Sequence, residues 1–192
     1  LAAGSYTVTI TDDNGCTLQK TVVVDEPDEL VANGSINTPL DCNGNTDGEI
    51  TVSVTGGVSP YTYLWDDANA ATTATVTGLG AGTYNVTVTD ANSNTATAQV
   101  IVTEPTAITA TATATDALCN GASNGEIALT VSGGTVATDY TFSWTGPNSF
   151  TSTSEDLTGL EAGSYQVTIT DDNGCTKVVN VTVGEPTALT AT

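Results

Sequence analysis

The sequence predicts an all-β fold built as tandem sandwich repeats in an extended array, and three observations carry that reading. The first is internal repetition. Leu1-Ala2-Ala3-Gly4-Ser5-Tyr6-Thr7-Val8-Thr9-Ile10-Thr11-Asp12 returns at 79–90 and again at 160–171, and Glu26-Pro27, Glu104-Pro105 and Glu185-Pro186 close successive units 78 and then 81 residues apart. Cys42-Asn43-Gly44 returns as Cys119-Asn120-Gly121, and Trp65 as Trp144. The second is composition, rich in Thr, Val, Ala and Gly, which suits strands and turns. The third is a period-two alternation of apolar and polar residues, the mark of strands with one buried face.

The repeat register divides the chain. Residues 1–27 read as the C-terminal part, strands F and G, of a truncated repeat; 28–105 and 106–186 read as complete repeats, and 187–192 as the start of a further one. A lone hairpin buries no core, so the natural protein is expected to continue on both sides.

In the third repeat, strand A is expected near 106–116 and B over 126–132, with Ile127, Leu129 and Val131 inward. Strand C spans 139–145 and puts Tyr140, Phe142 and Trp144 on one face. Weaker strands follow around 149–158. Strand F covers 164–170, with Tyr165, Val167 and Ile169 inward, and G covers 176–183, with Val179, Val181 and Val183 inward. Gly133-Gly134, Gly159, Gly163 and Asp172-Asn173-Gly174 supply the turns. Seven short strands, a Trp on C and a Tyr opening F describe an immunoglobulin- or fibronectin-like seven-strand β-sandwich.

The order Cys-Asn-Gly, Asn-Gly-Glu-Ile, Gly-Gly, an aromatic strand ending in Trp, Leu-x-Ala-Gly-Ser-Tyr, Thr-Asp-Asp-Asn-Gly-Cys and Glu-Pro resembles the SprB repeat along the whole chain. That repeat is named for giant gliding-motility adhesins of Bacteroidota, exported by the type IX secretion route. The resemblance implies an extracellular place on a bacterial cell surface and a role in adhesion.

Charge narrows the function classes independently. The chain carries 22 acidic side chains against two basic ones, a net charge of −20, with no histidine. The two cations are Lys20 and Lys177. Nucleic-acid binding needs clustered Lys and Arg to displace phosphate counterions, so it is excluded. An anionic membrane surface is disfavoured likewise, and no stretch reaches the roughly 18 apolar residues of a membrane span. Charged residues make up only 12 % of the chain, too few for a disordered acidic tail. Catalysis would rest on Asp and Glu alone, and pairs such as Asp12-Asp13 and Asp171-Asp172 read as hairpin turns. The chain is not read as an enzyme.

Two binding chemistries compete with a purely structural reading. Sugar stacking needs exposed aromatics, but all except Phe150 fall on inward strand faces. A Lys–Asn or Lys–Asp isopeptide cross-link is disfavoured because Lys20 and Lys177 lie at different distances from the preceding cysteine. Calcium is the candidate cofactor, since it takes six to eight oxygen ligands with several carboxylates. Asp171, Asp172 and Asn173 at an F–G tip would approach Glu104, with Asp47 and Glu49 near. The preceding junction offers Asp25, Glu26, Asp90 and Asn92, weakened by Ala91 and Ser93. The alternative for all of them is acidic turns left in water.

Four cysteines at repeated positions in a histidine-free β chain favour disulfides and an oxidising compartment. Strands alternate direction, so the A–B and F–G loops of one sandwich lie at opposite ends. Strands of about eight residues at about 3.4 Å each hold those ends more than 20 Å apart, beyond the 7 Å or so that a disulfide spans between Cα atoms. The A–B end of one repeat faces the F–G end of its successor. A bridge is therefore expected between Cys42 and Cys175, with Cys16 and Cys119 reaching for partners outside this stretch.

The expected function is a stalk or filament segment of a large secreted cell-surface adhesin. Its partners would be neighbouring repeats of the same chain. The alternative is that the repeats themselves bind a surface polysaccharide or self-associate with other copies.

Overall fold

The computed structural model describes residues 1–191. The chain divides into two compact units. Leu1–Asn37, Glu49–Thr77 and Thr83–Ile101 make the first; Thr38–Gly48, Gly78–Gly82 and Val102 onward make the second.

The chain opens with a hairpin of β1 (Gly4–Thr11) and β2 (Thr17–Val24), paired in full register from Gly4↔Val24 to Thr11↔Thr17. Tyr6 sends its hydroxyl back four residues to donate to the Ala2 carbonyl at 2.7 Å. This tyrosine corner is the feature expected of a Tyr opening strand F.

The next six strands are β3 (Val31–Thr38), β4 (Gly48–Thr55), β5 (Thr62–Trp65), β6 (Thr75–Leu79), β7 (Gly82–Thr89) and β8 (Thr95–Val102). They form two sheets of order β3-β4-β6 and β5-β7-β8. Within the first unit Ile50, Val52, Trp65, Val76, Val86, Val88 and Val100 are buried. Trp65 satisfies its indole N–H on the Thr73 carbonyl at 2.9 Å, as a buried indole must.

Residues 28–105 thus form six strands rather than the expected seven. The segment after Trp65 is held in a turn instead of a strand. Asp67 accepts the amides of Asn69 and Ala71 at 3.1 and 2.7 Å, and Ala70 sits at φ 49°. An Asp that ties up the amides two and four residues on competes with ladder pairing.

The second unit holds β9 (Thr109–Thr115), β10 (Gly125–Ser132), β11 (Thr141–Thr145), β12 (Thr151–Ser152), β13 (Leu157–Leu160), β14 (Gly163–Thr170) and β15 (Thr176–Val183). A short 3-10 turn at Pro147–Ser149 leads into β12. One sheet has order β13-β10-β9, the other β12-β11-β14-β15. This three-plus-four arrangement is the immunoglobulin- and fibronectin-like sandwich that the strand pattern predicted. Strand β14 is gripped on both edges, by β11 and β15.

Inward alternation fills the space between the sheets. Ile127 and Leu129 of β10, Phe142 and Trp144 of β11, Leu157 and Leu160 of β13, and Tyr165, Val167 and Ile169 of β14 form one buried cluster with Val183. Trp144 donates to the Ser154 carbonyl at 2.9 Å, and Tyr165 makes its own corner with the Glu161 carbonyl at 3.0 Å. Burial raises the Tyr165 phenol above its usual value, with the nearby Glu161 charge adding to the effect. Phe150, left over in the sequence reading, packs edge-on against Tyr165 with ring centroids 5.4 Å apart.

Candidate functional site

The chemistry of the second unit gathers at the turn between β14 and β15. Asp171 is buried, 6 % exposed, and serves three amides there. One carboxylate oxygen accepts the N–H groups of Asn173 and Cys175 at 3.0 and 2.9 Å, and the other accepts the Thr135 N–H at 2.9 Å. Asp171 therefore folds its own turn and pins the β10–β11 loop beneath it. Gly133 and Gly134 make the close approach possible. Gly133 adopts φ 83°, and a Cβ there would stand 2.1 Å from the Ala107 carbonyl oxygen. Asp172 holds the same loop from outside, accepting the amides of Ala137 and Thr138 and the Thr138 hydroxyl. The Ala137 amide first, then that of Thr138, holds the Asp172 carboxyl below its usual value.

Against this rigid turn lies the loop 39–47 of the preceding repeat. Cys42 and Cys175 are joined by a disulfide, with S–S 1.98 Å and Cα atoms 5.6 Å apart. Asn173 reinforces it by donating its side-chain amide to the Asp41 carbonyl at 2.9 Å. Cys16 and Cys119 are exposed thiols.

The loop bearing Cys42 is itself tied to the end of its own repeat. The Gly44 N–H donates to the Glu104 carboxylate at 2.6 Å, and Asn43 donates to the Pro105 carbonyl at 3.1 Å. The same clasp recurs one repeat later. Gly121 N–H and the Asn120 side chain donate to Glu185 at 2.6 and 2.9 Å, and Asn120 also reaches the Pro186 carbonyl at 3.2 Å. Cys-Asn-Gly and Glu-Pro are thus two halves of one device, and the cysteine is carried on its firm edge. Their joint presence in both complete repeats was the signal that links them.

The calcium candidates are engaged otherwise. Glu104 caps the Gly44 amide, Asp171 and Asp172 hold amides, and Asn173 spends its side chain on Asp41 and on the Thr135 hydroxyl. Asp47 accepts from Asn45 at 3.2 Å and Glu49 from Asn37 at 2.8 Å. In the first unit, Asp90 repeats the Asp171 turn. It is 5 % exposed and accepts the amides of Val58, Asn92 and Asn94 together with the Asn94 side chain. That side chain first, then the backbone amides, lowers its pKa. Asp25 and Glu26 are exposed. Among the described residues no group of three or more His, Cys, Asp or Glu side chains could hold a metal ion. Asp90, Asp171 and Asp172 instead stabilise turns and loops by accepting nearby amides.

The family model of the SprB repeat matches residues 34–70 and 111–149. No curated protein sequence matches the chain at a significant level. Among solved structures, the three N-terminal domains of the highly immunogenic outer capsid protein of bacteriophage RB49 are similar at 18 % identity and TM-score 0.47. That match covers 82 % of this chain and 59 % of the phage chain. The first eight Ig domains of Down Syndrome Cell Adhesion Molecule match at 11 % identity and TM-score 0.47, over 96 % of this chain and 28 % of theirs. The fibronectin(III)-like modules of Clostridium thermocellum CbhA match at 15 % identity and TM-score 0.30, over 79 % of this chain and 94 % of theirs. The chain spans about three fifths and about a quarter, respectively, of the first two.

Proposed function

We propose that this chain, which carries SprB repeats, is a stalk or filament segment of a large secreted bacterial adhesin of the gliding-motility kind. In this reading it stands at the cell surface, is exported by the type IX route and performs no catalysis. The observation that carries the proposal is the Cys42–Cys175 disulfide, which clamps the loop of one repeat to the turn of the next. A clamp of this kind joins consecutive repeats covalently and serves a chain under load.

Its mechanical logic follows from connectivity. Tension entering before Cys42 and leaving after Cys175 crosses the S–S bond, so the chain between them carries no load. The acidic surface adds mutual repulsion between neighbouring blocks, and the proline in each Glu-Pro link limits backbone freedom at the joint.

Single-molecule stretching of the 192-residue chain tests the mechanical part. The oxidised chain should extend less than the reduced chain by the 133-residue separation of the bridge, roughly 450 Å at about 3.4 Å per residue. Equal extensions would refute load-bearing by the disulfide. Antibody against this segment should label intact cells of the source organism; labelling confined to permeabilised cells would refute surface placement.

A further inference from the structure

We infer that the Cys42–Cys175 bridge is a redox latch: a low-molecular-weight thiol opens it from the cavity beside it, and both halves stay folded and ready to close again. The inference rests on the bonding around the bridge and is independent of the load the chain carries.

Each half of the latch is fastened without the disulfide. On the turn side, Asp171 accepts the amides of Asn173 and Cys175 at 3.0 and 2.9 Å and that of Thr135 at 2.9 Å. The Cys175 carbonyl accepts the Asp171 N–H at 3.1 Å, and the Asp171 carbonyl accepts the Gly174 N–H at 3.0 Å. On the loop side, Asn45 donates its amide to the Cys42 carbonyl at 3.3 Å. The bonds from Gly44 to Glu104 and from Asn43 to Pro105, at 2.6 and 3.1 Å, hold the same loop from its other side. None of these bonds passes through sulfur, so cleaving S–S leaves both cysteines on their own supports.

Across the latch the ties are few. Besides the bridge, Asn173 donates to the Asp41 carbonyl at 2.9 Å, and Cys175 Sγ lies 3.2 Å from the same oxygen. A disulfide sulfur has no proton to donate, whereas a thiol is a weak donor. Reduction therefore exchanges the covalent tie for one S–H donor beside the Asn173 bond. The open state is a loosely held neighbour of the closed one and keeps the fold of both halves.

The route of attack is also present. Cys42 and Cys175 are each partly exposed. Both line a cavity of about 450 Å³, together with Pro105, Thr106, Thr176 and Lys177. The attacking species is a thiolate, which a chain of net charge −20 repels. Lys177 is one of the two cations of the chain and offsets that repulsion at this cavity.

The chemistry is two exchange steps. A thiolate attacks one sulfur of the bridge and expels the other cysteine as its thiolate. A second thiolate attacks the mixed disulfide, expels the first cysteine and leaves as a small disulfide. Two small thiols are oxidised to one disulfide, and their two protons end on Cys42 and Cys175.

The test reduces the whole chain with 2-mercaptoethanol, records its amide NMR spectrum, and reoxidises it in a glutathione buffer before peptide mapping. The amide signals of Gly44 and Thr135 should keep their positions on reduction, and reoxidation should restore Cys42–Cys175 over every other pairing of the four cysteines. Lys177→Glu should slow the reduction several-fold at about 0.01 M salt, where the Debye length is about 30 Å, and much less at about 1 M. Asn173→Ala should shift the glutathione ratio at half-reduction several-fold towards easier opening. Collapse of the Gly44 and Thr135 signals into the unfolded range, scrambled bridges on reoxidation, a Lys177→Glu rate equal to wild type or an unmoved ratio in Asn173→Ala would overturn the inference.

Discussion

Hairpins β1–β2 and β14–β15 read almost the same and end in opposite environments. Gly4-Ser5-Tyr6-Thr7-Val8-Thr9-Ile10-Thr11 differs from Gly163-Ser164-Tyr165-Gln166-Val167-Thr168-Ile169-Thr170 at one residue. The pairing is identical, from Gly4↔Val24 and Gly163↔Val183 at one end to Thr11↔Thr17 and Thr170↔Thr176 at the other. Yet Tyr6, Val8 and Ile10 are 37, 53 and 58 % exposed, while Tyr165, Val167 and Ile169 are 3, 0 and 0 % exposed. Register, tyrosine corner and Asp-anchored turn are local properties. Burial belongs to the sheet of β9, β10 and β13 that covers the second hairpin.

The sharpest way to break that comparison is a matched truncation. Ile169→Ala should cost about 2–5 kcal/mol, the usual large-to-small core penalty, while Ile10→Ala should stay within about 0.5 kcal/mol as a surface change. Chemical denaturation of both variants checks this, and equal costs would abolish the distinction.

A smaller effect is expected at the turn that departs from the pattern. Ser93 takes φ 68° where Gly15 and Gly174 take 83° and 82°. A non-glycine residue in that region is strained, so Ser93→Gly should stabilise the 28–105 repeat by about 1 kcal/mol. A thermal melt resolves it, and a lowered Tm would mean that the serine is compensated.

The smallest expected effect is acid sensitivity of the turns that fasten a second loop. The carboxyl groups of Asp172 and Asp90 hold their protons more weakly in the fold than the ordinary aspartate value of about 3.9. A lowered folded value means that the stabilisation is present above about pH 4 and is lost as pH falls through the folded value. The stability of the wild type over Asp172→Asn should therefore shrink on acidification below about pH 4. A difference that stays constant down to the acid limit would contradict it.

Much of this was legible in the residues. Period-two alternation placed the strands of 106–186, since a sheet with one wet face must alternate. Strand direction put the A–B and F–G loops at opposite ends, and the Cys42–Cys175 bridge in the structure has that geometry. The acidic turns were harder. Asp171 and Asp90 read as exposed tip residues with oxygen to offer a cation, whereas each is buried and folded onto amides of its own turn and of a loop 30 or more residues away.

The sequence by itself determined the repeat and the inward faces of strands B, C, F and G in 106–186, because these follow from local pattern and chain direction. The tertiary structure alone decided that 28–105 forms six strands and where Asp90, Asp171 and Asp172 send their lone pairs. Those outcomes depend on which groups meet in space across long chain separations, and no local pattern encodes the partner.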